Sequence, residues 1–173
     1  MILKRVVLCA VVLATGLFMP PAIAADPDPS FLVVHGGAYN VGRPDEVAGE
    51  FGLQYRSSYE MWIFKPHAGA LIQTDGLKVG YAGVLVDLYF GKRFVMTAST
   101  SVGLYQRGDA DTLGDKPLVF RSGIEGSYRF DNRSRLGLGV YHMSNARLME
   151  KKNPGEESVI LNYAIPIGGS AGK

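Results

Sequence analysis

The stretch VYHMSNARL, Val140 to Leu148, sets His142, Ser144 and Asn145 within four residues, and NPGEES follows with Glu156 and Glu157. On an extended strand, residues two apart share a face with Cα atoms about 6.5 to 7 Å apart, so an imidazole nitrogen at His142 can reach the Ser144 hydroxyl. A carboxylate on a neighbouring strand, about 4.8 Å away, would hold the ring in one tautomer and stabilise the imidazolium formed when His142 takes the serine proton. The chemistry these types suggest is attack by Ser144 on an ester carbonyl. The plainer alternative makes His142 and Ser144 rim residues bonded to water or headgroups, and Glu157 a loop-end charge.

Which side of a sheet these residues occupy follows from the strands that carry them. In RLGLGVYHMSN, Leu136, Leu138, Val140, His142 and Ser144 fall on one face, with Gly137, Gly139, Tyr141 and Met143 on the other. In GEESVILNYAIPI the apolar set is Val159, Leu161, Tyr163 and Ile165, and Glu157 shares its face while Glu156 points the other way. The reactive types therefore sit on the apolar face. The same period of two runs through FVMTASTSVGLY, with Phe94, Met96, Ala98, Val102 and Leu104 opposite Thr97, Ser99, Ser101 and Gly103. In LVFRSGIEGSYRF, Leu118, Phe120, Ile124, Tyr128 and Phe130 oppose Arg121, Glu125 and Arg129. A soluble sandwich would bury the apolar face, whereas a membrane barrel would turn it to lipid and pack the charges in its lumen.

The chain's organisation favours the barrel. Strand candidates lie near residues 31 to 39, 47 to 57, 66 to 75, 77 to 90, 93 to 105, 118 to 130, 134 to 145 and 157 to 167. They make an even set of eight, with the lengths of about 10 residues that tilted membrane strands need. Tight turns at FGKR and FDNRS contrast with longer polar loops at YNVGRPDE, QRGDADTLGDKP and ARLMEKKNPGE, matching short periplasmic turns and long external loops. Tyr55, Tyr59, Trp62 and Phe64, with Tyr89, Phe90, Phe94, Tyr128 and Phe130, gather at strand ends like an interfacial girdle. A lipocalin-like periplasmic barrel is the alternative for this pattern.

The 173 residues, 47% hydrophobic and 20% charged, suit one domain. Residues 1–24 read as a signal peptide: Lys4 and Arg5, an apolar run from Val6 to Met19, then AIAA with cleavage after Ala24. An N-terminal membrane anchor is the alternative, but the run is short of the roughly 20 residues that span a bilayer. Residues 25–173 then form an all-β domain, an eight-stranded antiparallel transmembrane β-barrel. The single cysteine, Cys9, lies in the leader, so the mature chain has no thiol for a disulfide or thiolate metal site. His35, His67 and His142 are scattered without ligand spacing, so no metal or cofactor is expected, and His35 and His67 read as lumen or rim residues. A net charge of +2, with no basic stripe, gives no reason to expect nucleic acid as a partner.

HMSNARL followed by NPGEES resembles the outer-membrane lipid A 3-O-deacylase family, the PagL type, with its H-x-S-N-A near the end of strand seven and G-x-E-S opening strand eight. The likeness covers the last third closely, and eight strands behind a signal peptide agree over the rest. It implies a Ser-His-acid triad of Ser144, His142 and Glu157. Counting from the histidine, the family's usual spacing selects Glu156, whereas the G-x-E-S context and the strand face select Glu157. The resemblance also implies that Asn145, Asn153 or nearby backbone amides donate to an oxyanion. It further implies release of a 3-hydroxy fatty acid from lipid A of lipopolysaccharide in the outer leaflet, by a protein of the Gram-negative outer membrane.

The acyl chain is then expected beside Leu136, Leu138, Val140, Val159, Leu161 and Tyr163. Arg43, Arg107, Lys116, Arg147, Lys151 and Lys152 fall in presumed external loops, as phosphate-attracting or simply solvated cations. Two further readings stay open: an outer-membrane phospholipase type of lipase, whose twelve strands exceed this length, and a non-catalytic barrel for adhesion or anchoring. A homodimer is also left open, as is the role of the terminal GGSAGK.

Overall fold

The computed structural model describes residues 28–106, 117–145 and 155–168. The leader with its expected cleavage point lies outside them, as do Arg107, Lys116, Arg147, Lys151, Lys152 and Asn153. Eight strands follow one another: β1 (Ser30–Tyr39), β2 (Ala48–Arg56), β3 (Lys65–Gln73), β4 (Lys78–Phe90), β5 (Phe94–Gln106), β6 (Leu118–Arg129), β7 (Arg135–Ser144) and β8 (Glu156–Ile167). Each pairs antiparallel with its neighbour in sequence, and β8 returns to β1 to close the barrel. Closure leaves no sheet edge with unpaired backbone groups. Among the described residues no helix is long and apolar enough to cross a membrane; a single 3-10 turn, Pro44–Glu46, sits between β1 and β2.

The period of two separates two surfaces. Leu53, Phe51, Leu104, Ile124, Leu138, Val140 and Leu161 are all more than half exposed on the outer wall. Inward positions carry the charges. Arg56 pairs with Glu125 at 2.7 Å, Arg121 with Glu50 at 3.1 Å, and Asp87 with both Lys65 at 3.1 Å and Arg135 at 3.3 Å. Arg135 also meets Asp28, and the Arg121 guanidinium lies 3.8 Å from the centre of the Tyr141 ring. A soluble barrel would not show this inversion, because it would expose apolar side chains to water while burying ions. Hydrocarbon outside and paired ions inside resolve both, since paired and hydrogen-bonded charges tolerate burial.

Apolar packing inside gathers in one cluster of Leu71, Leu77, Val79, Tyr81, Tyr105, Val119 and Met143, and a smaller one of Phe31, Val33 and Ala164.

The connections at FGKR and FDNRS are short as expected, but the external one between β3 and β4, residues 74–77, is short too, while the β2–β3 connection, residues 57–64, is longer and is pinned by a Met61–Phe64 bridge. Trp62, 86% exposed, projects there beside Phe64. Phe94, Tyr128 and Phe130 stack edge to face at the same barrel end, 5.6 and 5.2 Å between successive ring centres. Tyr89 departs from the expected girdle. It shares its face with Asp87, so its phenol turns inward to Asp28, Lys65 and Arg135. His35 and His67 are likewise buried in the lumen.

Candidate active site on the outer wall

Strand register brings His142 directly opposite Glu157 on β8 and directly opposite Ser122 on β6. Because His142 and Glu157 lie on the outer face, they are about half exposed, at 50% and 45% of their side-chain surface. His142 Nδ1 lies 3.3 Å from Glu157 Oε1; in the tautomer with its proton on Nδ1 the ring donates to the carboxylate, and the Nε2 lone pair can then act as a base. Glu156 is fully buried and faces the lumen. One step along the strand separates the two glutamates, and that step sends them to opposite sides of the wall.

Ser144 is the last residue of β7, partly exposed on the same outer face as His142. Continuing the β7–β8 register one rung beyond Met143 opposite Glu156 sets Gly155 across from Ser144. The ring of His142 leans over that glycine. A methyl group at Gly155 would lie 2.4 Å from His142 Cε1, 3.0 Å from Nε2 and 3.3 Å from Nδ1. Gly155 also holds φ at +73°, a left-handed conformation that disfavours any side chain. The ring is thus turned from Glu157 toward the rung that carries Ser144.

The loop after β1 braces this arrangement from the far side of β8. Val41 N–H donates to the Glu157 carbonyl at 3.1 Å, and a methyl on Gly42 would lie 3.4 Å from Glu157 Oε2. Arg43 donates through Nη2 to the Gly155 carbonyl at 2.8 Å and through Nη1 to Glu46 at 3.2 Å. Buried Asn40, at φ 58°, donates to the same Glu46 carboxylate at 2.9 Å and fixes the loop's exit from the strand. Arg43, read from sequence as a loop cation, is therefore partly committed to the backbone beneath the imidazole.

Of the oxyanion candidates, Asn145 is buried, at 2% exposed. Asn153 lies outside the described residues.

Two residues that sequence reasoning passed over belong to the same row. Thr100 on β5 is opposite Ser122 on β6, which is opposite His142. Their hydroxyls share a 3.0 Å hydrogen bond on the exposed outer face. Both stand at even positions of apolar faces, so their polar interruption was visible in FVMTASTSVGLY and LVFRSGIEGSYRF.

Beneath the row, an open apolar groove of about 510 Å³ runs over β5, β6 and β7, lined by Phe94, Met96, Ile124, Gly126, Tyr128 and Leu136. It lies toward β6 from the β7–β8 wall expected to hold an acyl chain, and Leu136 is the residue common to both.

The family model for lipid A 3-O-deacylase (PagL) matches residues 38–166. The chain belongs to that family. The family match spans β1 to β8 and includes every residue of the row. By structure, the chain is similar to a crystal structure of the outer membrane enzyme PagL, with a TM-score of 0.61 and 20% sequence identity over 79% of this chain and 99% of that one. It is also similar to a de novo designed transmembrane β-barrel, with a TM-score of 0.51 and 15% identity over 82% and 99% of the two chains. At such identities both likenesses speak to the fold. No curated protein matches the sequence.

Proposed function

We propose that this member of the PagL family is an outer-membrane serine esterase that removes the 3-O-linked acyl chain from lipid A. The observation that carries the reading is the set Glu157, His142 and Ser144, turned outward on a wall whose other mid-strand positions, Thr100 and Ser122 apart, are apolar or small. A substrate whose ester sits between a sugar headgroup and hydrocarbon would meet this row from the outer leaflet. The family match supports that choice of substrate.

In the proposed reaction, Ser144 Oγ attacks the ester carbonyl carbon while His142 Nε2 takes its proton. Glu157, bonded to Nδ1, balances the imidazolium charge. The tetrahedral intermediate collapses as the carbon–oxygen bond to the sugar breaks, and His142 returns the proton to the leaving alkoxide. Water, deprotonated by the same nitrogen, then cleaves the acyl-enzyme and releases the 3-hydroxy fatty acid. Backbone amides at Asn145 and in the segment after it are the proposed oxyanion donors, with Asn145 and Asn153 as side-chain candidates.

The test is mass spectrometry of lipid A from a Gram-negative host lacking this activity, expressing the wild type or Ser144→Ala. Loss of one 3-hydroxyacyl group in the first and not in the second supports the proposal. Unchanged lipid A with folded wild-type protein in the outer membrane, or release of fatty acid from phospholipid instead, overturns it.

A further inference from the structure

We infer that Thr100 and Ser122 form a polar subsite that recognises the 3-hydroxyl of the acyl chain being removed, and so select hydroxylated over plain acyl esters. This inference rests on the deacylase reading above. Along the middle of the outer wall, the outward positions of β4 to β8 are apolar or small: Ala82, Val84, Ala98, Val102, Ile124, Val140 and their neighbours. The exceptions are Thr100, Ser122, His142, Ser144 and Glu157, and the first three with Glu157 stand in one continuous register across four strands. Hydroxyls facing hydrocarbon are costly unless bonded. Thr100 and Ser122 meet that cost by bonding to each other at 3.0 Å.

Their placement fits a group two carbons from the reacting carbonyl. Ser122 is His142's direct partner and is diagonal to Ser144, about 7 to 8 Å away on neighbouring strands. A chain acylated on Ser144 has two ways down the wall. On the β8 side it would cross Glu157, whose carboxylate is held by the imidazole. On the β6 side it crosses the hydroxyl pair and then enters the apolar groove between Phe94, Ile124, Gly126 and Leu136. The second path places the carbon bearing the 3-hydroxyl over the row and the hydrocarbon beyond it over the groove.

Two hydroxyls offer two donors and four acceptor lone pairs. Their mutual 3.0 Å bond uses one of each, which leaves one donor and three acceptors for a substrate hydroxyl that must both give and receive. The pair is thus satisfied when empty and able to bind a third hydroxyl without losing its own bond.

The experiment uses the full mature chain refolded in detergent micelles and two synthetic lipids, glucosamine 3-O-acylated with either a 3-hydroxytetradecanoyl or a tetradecanoyl chain. The wild type is expected to favour the hydroxylated ester in kcat/KM by about tenfold, the scale of one hydrogen bond. The double variant Thr100→Val with Ser122→Ala should bring that ratio close to one, while Thr100→Ser with Ser122→Thr, which keeps both hydroxyls, should preserve it. Heat-modifiable electrophoretic mobility checks that each variant forms the barrel. A double variant that retains the wild-type ratio, or slows both esters equally, overturns the inference while leaving the deacylase reading intact. A folded wild type that cleaves neither ester overturns both.

Discussion

Gly155 offers a sharp perturbation, because the three heavy atoms nearest an added methyl group all belong to the His142 ring. In Gly155→Ala the new carbon would start 2.4 Å from His142 Cε1, whereas unstrained carbon contacts settle near 3.5 Å or more, so the ring must retreat by about 1 Å. The side chain is half exposed and free to do so. Holding alanine at φ +73° adds about 1 to 2 kcal/mol, a loss the barrel should survive. Displacement of a catalytic base by about 1 Å is expected to lower kcat by about 100-fold. The assay is the initial rate of fatty acid release from lipopolysaccharide by refolded protein, normalised to the folded fraction from heat-modifiable mobility. Folded Gly155→Ala with undiminished kcat would refute the claim that the ring works from its place over the glycine.

Four further outcomes follow from the same geometry. Glu157→Gln should lower kcat by at least about 100-fold with the barrel intact, since in the proposed reaction the carboxylate fixes the tautomer and balances the imidazolium; Glu156→Gln should leave the rate per folded molecule unchanged, and the two rates measured side by side check this. Arg43→Ala removes a charge-assisted bond to the Gly155 carbonyl, so activity should fall by about tenfold, with faster hydrogen exchange at the start of β8. In the lumen, Arg56→Ala leaves Glu125 buried without its partner and should destabilise the barrel by about 3 to 5 kcal/mol in urea titrations from liposomes. Its deacylation rate per folded molecule should match the wild type, because neither residue reaches the outer wall.

Much of this architecture was legible because a strand's period of two is a local signal. The eight expected segments end within two residues of the observed strands, and the same parity turned Glu157 outward with His142 and Glu156 inward. Tyr89 shows the cost of setting parity aside: clustering with other aromatics suggested an interfacial role, yet its spacing from Asp87 already put it in the lumen. Thr100 and Ser122 each interrupt an apolar face in their own strand, but only the β5–β6–β7 register sets them beside each other and Ser122 beside His142. The bracing of the site was out of reach. Arg43 and Gly155 are 112 residues apart, and only closure of β8 onto β1 brings that loop beneath the imidazole. That Gly155 in NPGEES makes room for a ring depends on the register across β7 and β8.

The central claim is that the outward hydroxyl beside His142 is the nucleophile, and covalent capture tests it most directly. Outer membranes carrying the wild type would be treated with a long-chain fluorophosphonate, and the modified peptide located by mass spectrometry. The expected result is a single adduct on Ser144 that disappears in His142→Ala. An adduct on Ser122, or one on Ser144 that forms equally fast without the histidine, would contradict it.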